Sequence, residues 1–181
     1  LINKKDELKA DGISIVFASG NDNANLDNPG QFDDSELDSV LGVGSSNSLN
    51  NISSFSNYGS AIDVIAPGGG DGIGVMSAFV TNTNTDATTY GLNIDNQNYS
   101  FTQGTSFSAP ITSGVIALML GINPNLTPDE IRTILIETAD KINSDTVSYV
   151  DLISDSTTST FNTQRAYGKI NAEKAVLKAQ N

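Results

Sequence analysis

No histidine, cysteine or tryptophan occurs among the 181 residues. Without cysteine there is neither a disulfide nor a thiolate metal site. Without histidine, the chain lacks the side chain that most often acts as a general base near neutral pH. Basic residues are scarce, nine against 21 acids, for a net charge of −12. Nucleic acid is therefore excluded as a partner, since binding it needs a basic face. No apolar run approaches the ~18 residues of a membrane span, so no membrane partner is expected. Charged residues make up 17% and hydrophobic residues 38% of the chain, the composition of a globular protein with a real core. Neither an internal repeat nor a second domain is visible. The acids read as surface loops, with Ca²⁺ binding a weaker alternative.

What is present centres on Gln103-Gly104-Thr105-Ser106-Phe107-Ser108-Ala109-Pro110. A run with helical apolar spacing follows it, from Ile111 to Leu120. Thr105 and Ser106 can cap that helix, and Gly104 permits close approach of backbone to ligand. A serine hydroxyl at a helix N-terminus lies where the helix dipole favours negative charge, a suitable place for a nucleophile whose reaction develops an oxyanion. On this chemistry alone an ordinary Ser/Thr cap is the favoured reading.

The spelling of the segment shifts that balance. Gly104 to Pro110 closely resembles the nucleophile motif of the subtilisin-like serine proteases (subtilases), Gly-Thr-Ser-Met-Ala-x-Pro. A second segment, Ile13 to Asp22, resembles the subtilase strand that ends in Ala-Ala-Gly-Asn, and it lies upstream as in that family. Phe55-Ser56-Asn57-Tyr58-Gly59, Val64-Ile65-Ala66-Pro67-Gly68 and Tyr167-Gly168-Lys169-Ile170-Asn171 follow the family's later segments. Three departures stand out: Phe107 for Met, Ile111 for the His that often follows the Pro, and Tyr167 for Gly.

The resemblance implies an α/β, three-layer subtilisin-like fold, with a mostly parallel sheet between helices. Residues 1–181 would form the C-terminal part of a single catalytic domain. It implies a serine endopeptidase in which Ser106 is the nucleophile and the Asn21 amide donates to the oxyanion. Ala18, Ser19, Gly20 and Gly30 would line the pocket for the side chain before the scissile bond. The triad His and Asp would lie in an upstream N-terminal half, the second partner besides the polypeptide substrate. A signal peptide would lie upstream too, for a secreted enzyme. Asp22 and Asp27 fall close to the expected pocket and suggest tolerance of basic side chains, although solvated loop acids are the commoner case. Asp33, Asp34, Glu36 and Asp38 do not match an EF-hand spacing, so no metal is assigned and structural calcium stays open. Two alternatives remain: a catalytically dead binding module, and a sedolisin-type peptidase with a Glu base. Gln103 before Gly104, and Asn21 where sedolisins place Asp, argue against the second.

The other expectations are local. A helix end over Leu1–Ala10, with Lys4, Lys5, Asp6 and Glu7 outside, stops at Asp11-Gly12. Ile13–Ala18 is a strand buried on both faces. Ser39–Gly44 and Ile62–Gly68 are further strands, with Phe55 in the core and Asp63 at the surface or paired. Gly68–Gly74 lacks the Gly-Lys-Ser/Thr of a phosphate loop and reads as a mobile loop. Thr81–Asn98 is a polar surface loop or hairpin. The helix after Pro110 is apolar nearly all round, with Gly114 permitting close packing. Thr127-Pro128-Asp129-Glu130 spells a capped helix start whose buried stripe is Ile131, Ile134, Leu135 and Thr138. Asn171 caps a last helix that runs through Lys178.

Overall fold

The computed structural model describes residues 2–78, 99–151 and 160–180. The expected loop Thr81–Asn98 lies outside them. Helix α1, Ile2–Ala10, closes as Gly12 and Ile13 donate their N–H groups to Lys9 and Leu8 carbonyls, both at 3.0 Å. Strands β1 (Val16–Ala18), β2 (Leu41–Ser46) and β3 (Val64–Pro67) then form a parallel sheet in that order. Val16 pairs with Leu41, and Val43 with Val64. The β1–β2 connection holds a 3₁₀ turn, Asp34–Glu36, and the next α-helix comes only after β3. Two short antiparallel pairs complete the strands: β4 (Val75–Ala78) with β5 (Tyr99–Thr102), and β6 (Val150–Asp151) with β7 (Thr160–Phe161).

Helix α2, Thr105–Ile122, packs across all three parallel strands. Its Val115, Ile116 and Met119 meet Leu41, Val43, Val64 and Ala66 of the sheet. Helices α3 (Pro128–Thr138) and α4 (Ala172–Ala179) extend the same core through Ile131, Leu135, Ala175 and Ala179. Each fully buried aliphatic side chain here is worth about 1.5–3 kcal/mol. The start of α3 follows its local chemistry: Thr127 Oγ1 accepts the Glu130 N–H at 3.3 Å, and the Glu130 carboxylate accepts the Thr127 N–H at 2.8 Å. Asn171 caps α4 by accepting the Lys174 N–H at 3.0 Å.

Several expectations need correction. The first strand is three residues long and only half-buried, because β2 is its one neighbour in the sheet. Lys5 is buried, not outside. Its Nζ lies 2.9 Å from Asp34 Oδ2 and 4.5 Å from the Phe17 ring centroid, so the buried ammonium sits over an aromatic face and beside a carboxylate. Phe55 is half-buried, because hydrogen bonds turn its neighbours Ser53, Ser56 and Asn57 inward instead. Helix α2 is not covered all round: Leu118 is 59% and Ile122 49% exposed. Nothing lies within 4 Å of where a Gly114 side chain would point. By length and composition α2 could cross a membrane, but here it is the core helix, with Thr105, Ser108 and Thr112 buried alongside its apolar residues. Gly68 to Gly70 are buried, and Gly70 and Ile73 exchange two backbone bonds, so this is a tied turn.

One buried ion pair joins the sheet to α3. Asp63 Oδ1 accepts from Arg132 Nε and Nη2, both at 2.7 Å, and its Oδ2 accepts the Gly42 N–H at 2.9 Å. Burial pushes the Asp63 carboxyl above its ordinary pKa, against the pull of Arg132. Removing Arg132 leaves a buried charge without a partner, so Arg132→Met should cost about 3–5 kcal/mol, read by urea unfolding. The deficit should shrink on acidification. A carboxyl with a raised folded-state pKa favours folding fully below its unfolded value of about 3.9, and loses that contribution as pH rises through the folded value.

Candidate active site

Ser106 stands in the first turn of α2 and is exposed. The helix is capped by Gly104, with no side-chain bond, so the expectation that Thr105 and Ser106 cap it is corrected. Ser106 Oγ has no hydrogen-bond partner among the described residues. Its backbone N–H belongs to the set that a helix start leaves without an intrahelical acceptor, at the positive end of the dipole. The Thr105 hydroxyl has another task. It accepts the Gly20 N–H at 3.2 Å and donates to Asn21 Oδ1 at 3.1 Å.

Asn21 lies just past the carboxyl end of β1, where open α/β sheets bind ligands. Its Oδ1 also accepts the Thr105 N–H at 2.8 Å. Two donors on the oxygen settle which way the amide faces, and its two N–H groups are left for something else. A point along the missing side-chain direction of Gly104 lies 3.6 Å from both Asn21 Nδ2 and Asn21 Oδ1, and 3.8 Å from the Ser106 backbone nitrogen. The two donors thus flank one open space, and a glycine leaves it open.

The floor of the site is built from close backbone approach and hydroxyls. The Gly104 N–H donates to the Gly68 carbonyl at 2.8 Å. A side chain at Gly68 would sit 2.2 Å from Ser45 Oγ, 2.4 Å from Ser108 Oγ and 2.8 Å from the Gly104 carbonyl. Ser108 donates to the Ala66 carbonyl at 3.0 Å, Ser45 and Ser53 share a bond of 2.7 Å, and Ser53 donates to the Gly69 carbonyl at 2.6 Å.

The remaining site candidates divide. Ala18, Ser19 and Gly20 lie together at the strand end. Ser19 is fully buried and donates to the Asn57 carbonyl at 3.0 Å. Gly30 sits in an exposed turn closed by the Gln31 N–H on the Asn28 carbonyl, with nothing within 4 Å of its side-chain direction. The hydrogen bonds that hold Ser19 and Gly20 come from residues 43, 57 and 105, not from Gly30. Asp22 is exposed, whereas Asp27 Oδ1 is engaged by Ser60 through its N–H at 2.8 Å and its hydroxyl at 2.6 Å. Asp33 and Glu36 close a capping box on the 3₁₀ turn, and Asp34 faces Lys5. Among the described residues no group of three or more acids could hold a metal ion. Two contributors were missed: Thr105, read only as a cap, and Asn57, part of the Phe55–Gly59 segment but given no role.

A parallel sheet covered by a helix with a serine at its head, and an amide at a strand end beside it, makes an α/β architecture of subtilisin-like kind. The chain belongs to the subtilase family, whose model matches residues 1–169. Among its relatives, the calcium-dependent protease of a Nostoc species is 33% identical over 177 residues, covering 91% of this chain and 24% of that protein. The halolysin-like extracellular serine protease Nep of Natrialba magadii is 32% identical over 167 residues, covering 91% of this chain and 23% of that protein. A protease structure from Pseudoalteromonas arctica superposes with a TM-score of 0.74 at 30% identity, covering 98% of this chain and 46% of that one. The chain therefore spans about a quarter of these sequence relatives and under half of the solved chain.

Gly68→Ala should force the head of α2 away from the sheet. The expected loss is about 1–3 kcal/mol, as for other overpacked sites. Adding Ser45→Ala should restore only part of it, since the Gly104 carbonyl stays in the way. Thermal unfolding of the single and double variants checks this.

Proposed function

We propose that this chain supplies the nucleophile and the oxyanion donors of a subtilisin-like serine endopeptidase. Ser106 Oγ attacks the carbonyl carbon of a peptide bond. A histidine from an upstream segment takes its proton and later delivers it to the leaving amine, and an upstream aspartate orients that histidine. Asn21 Nδ2 and the Ser106 N–H stabilise the tetrahedral oxyanion. The observation that carries this reading is the pair of Thr105 bonds on Asn21 Oδ1, which commit the oxygen and leave the amide's N–H donors uncommitted next to the head of the Ser106 helix.

Two surfaces support a partner segment that completes the domain. One is the edge of β1 that pairs with nothing in the described sheet, and the other is the exposed apolar side of α2 around Leu118 and Ile122. Without histidine the chain alone has no such base, and oxyanion stabilisation without proton transfer is too slow for an amide substrate. Secretion is part of the proposal, in keeping with a relative that is named extracellular. Calcium dependence in another relative makes added Ca²⁺ worth including in assays, although no step runs through it.

Intact-mass labelling with a fluorophosphonate tests the reading. The protein carrying its upstream segment should gain one adduct, and its Ser106→Ala variant and the isolated chain should gain none. A folded protein that stays unmodified would make the domain a binding module instead.

A further inference from the structure

The loop that carries Asn21 has no regular structure, and two of its residues, Gly20 and Asn23, take positive φ values of 97° and 53°. Left to itself such a loop would sample many positions. One buried residue holds it on both sides of Asn21, through its side chain after Asn21 and through its backbone before it. Asn57 Oδ1 accepts the N–H groups of Asp22 and Ala24, each at 2.9 Å. The Asn57 backbone N–H donates to the Gly20 carbonyl at 3.0 Å, and its carbonyl accepts the Ser19 hydroxyl at 3.0 Å. Asn57 is 5% exposed, and a side chain on Gly20 would lie 2.4 Å from its Nδ2. The glycine before Asn21 is thus also a seat for Asn57.

We infer that Asn57 is a positioning residue for the reaction: it fixes the backbone on either side of Asn21 and so aims the oxyanion-donating amide without meeting the substrate. The inference rests on the proposed function of Ser106 and Asn21. The division of labour is physical. Thr105 sets the rotation of the Asn21 amide, whereas Asn57 sets where the Asn21 backbone stands. Both are needed, because an oxyanion donor displaced by about 1 Å forfeits much of its effect. Among the described residues no other side chain accepts from more than one N–H of residues 20–24.

The test is a double-mutant cycle in the protein with its upstream segment, using a chromogenic peptide anilide. Asn57→Ala should lower kcat about 10- to 100-fold with KM little changed. In an Asn21→Ala background the same substitution should cost less than about threefold, because the amide it positions is gone. If Asn57→Ala does not fold, Asn57→Ser, which keeps the backbone bonds and a shorter acceptor, takes its place in the cycle. An equal loss in both backgrounds, a loss confined to KM, or no loss overturns the positioning role while leaving the protease reading intact. A folded wild type that cleaves nothing and takes no fluorophosphonate overturns both.

Discussion

A single hydroxyl joins the two halves of the site. Thr105 Oγ1 takes the Gly20 N–H and gives its own proton to Asn21 Oδ1, so the end of β1 and the start of α2 share one side chain. Each of these bonds adds only about 1 kcal/mol in net stability. Their larger effect is directional, because they choose one orientation for an amide that could otherwise face either way. Serine, amide and helix terminus then lie side by side, although they come from segments far apart in the chain.

That junction is possible only because the helix comes very near the sheet. Gly68 has no side chain where Ser45, Ser108 and the Gly104 carbonyl converge, and the serines there bond to backbone carbonyls or to one another. Further along α2 the contact changes character. Val115, Ile116 and Met119 press on Val43 and Val64, and this dry region anchors the helix at a distance from the chemistry. The helix is thus fixed by apolar packing in its middle and aimed by hydrogen bonds at its head. Positioning at the site can be precise without lining it with hydrophobic groups.

Legibility in the sequence follows the range of the interactions. The Thr127–Glu130 box, the Asn171 cap and the stripe of Ile131, Ile134 and Leu135 depend on residues three or four apart, and the structure has them as read. Ser106 and Asn21 were singled out through motif resemblance, and in the structure Thr105 ties their segments together. Lys5 was misplaced because Asp34 and Phe17, which make its burial tolerable, are remote in sequence. Phe55 was assigned to the core on hydrophobicity, yet the hydrogen bonds of Ser53 and Ser56 decide which way that turn faces. Asn57 belongs to the Phe55–Gly59 segment but was given no role, since its partners lie more than thirty positions away. The apolar surface of α2 shows the remaining limit: hydrophobicity tells that a face can be covered, not what covers it.

The serine-rich floor has a thermal consequence. Apolar surface exposed on unfolding raises the heat capacity, whereas polar surface lowers it. Ser45, Ser53, Ser56 and Ser108 are all buried under the site, beside a core of valine, isoleucine and leucine deeper along α2. The two zones therefore pull the heat-capacity change in opposite directions. Area for area, exposing the ground beneath Ser106 adds less to the heat-capacity change of unfolding than exposing the core that carries it.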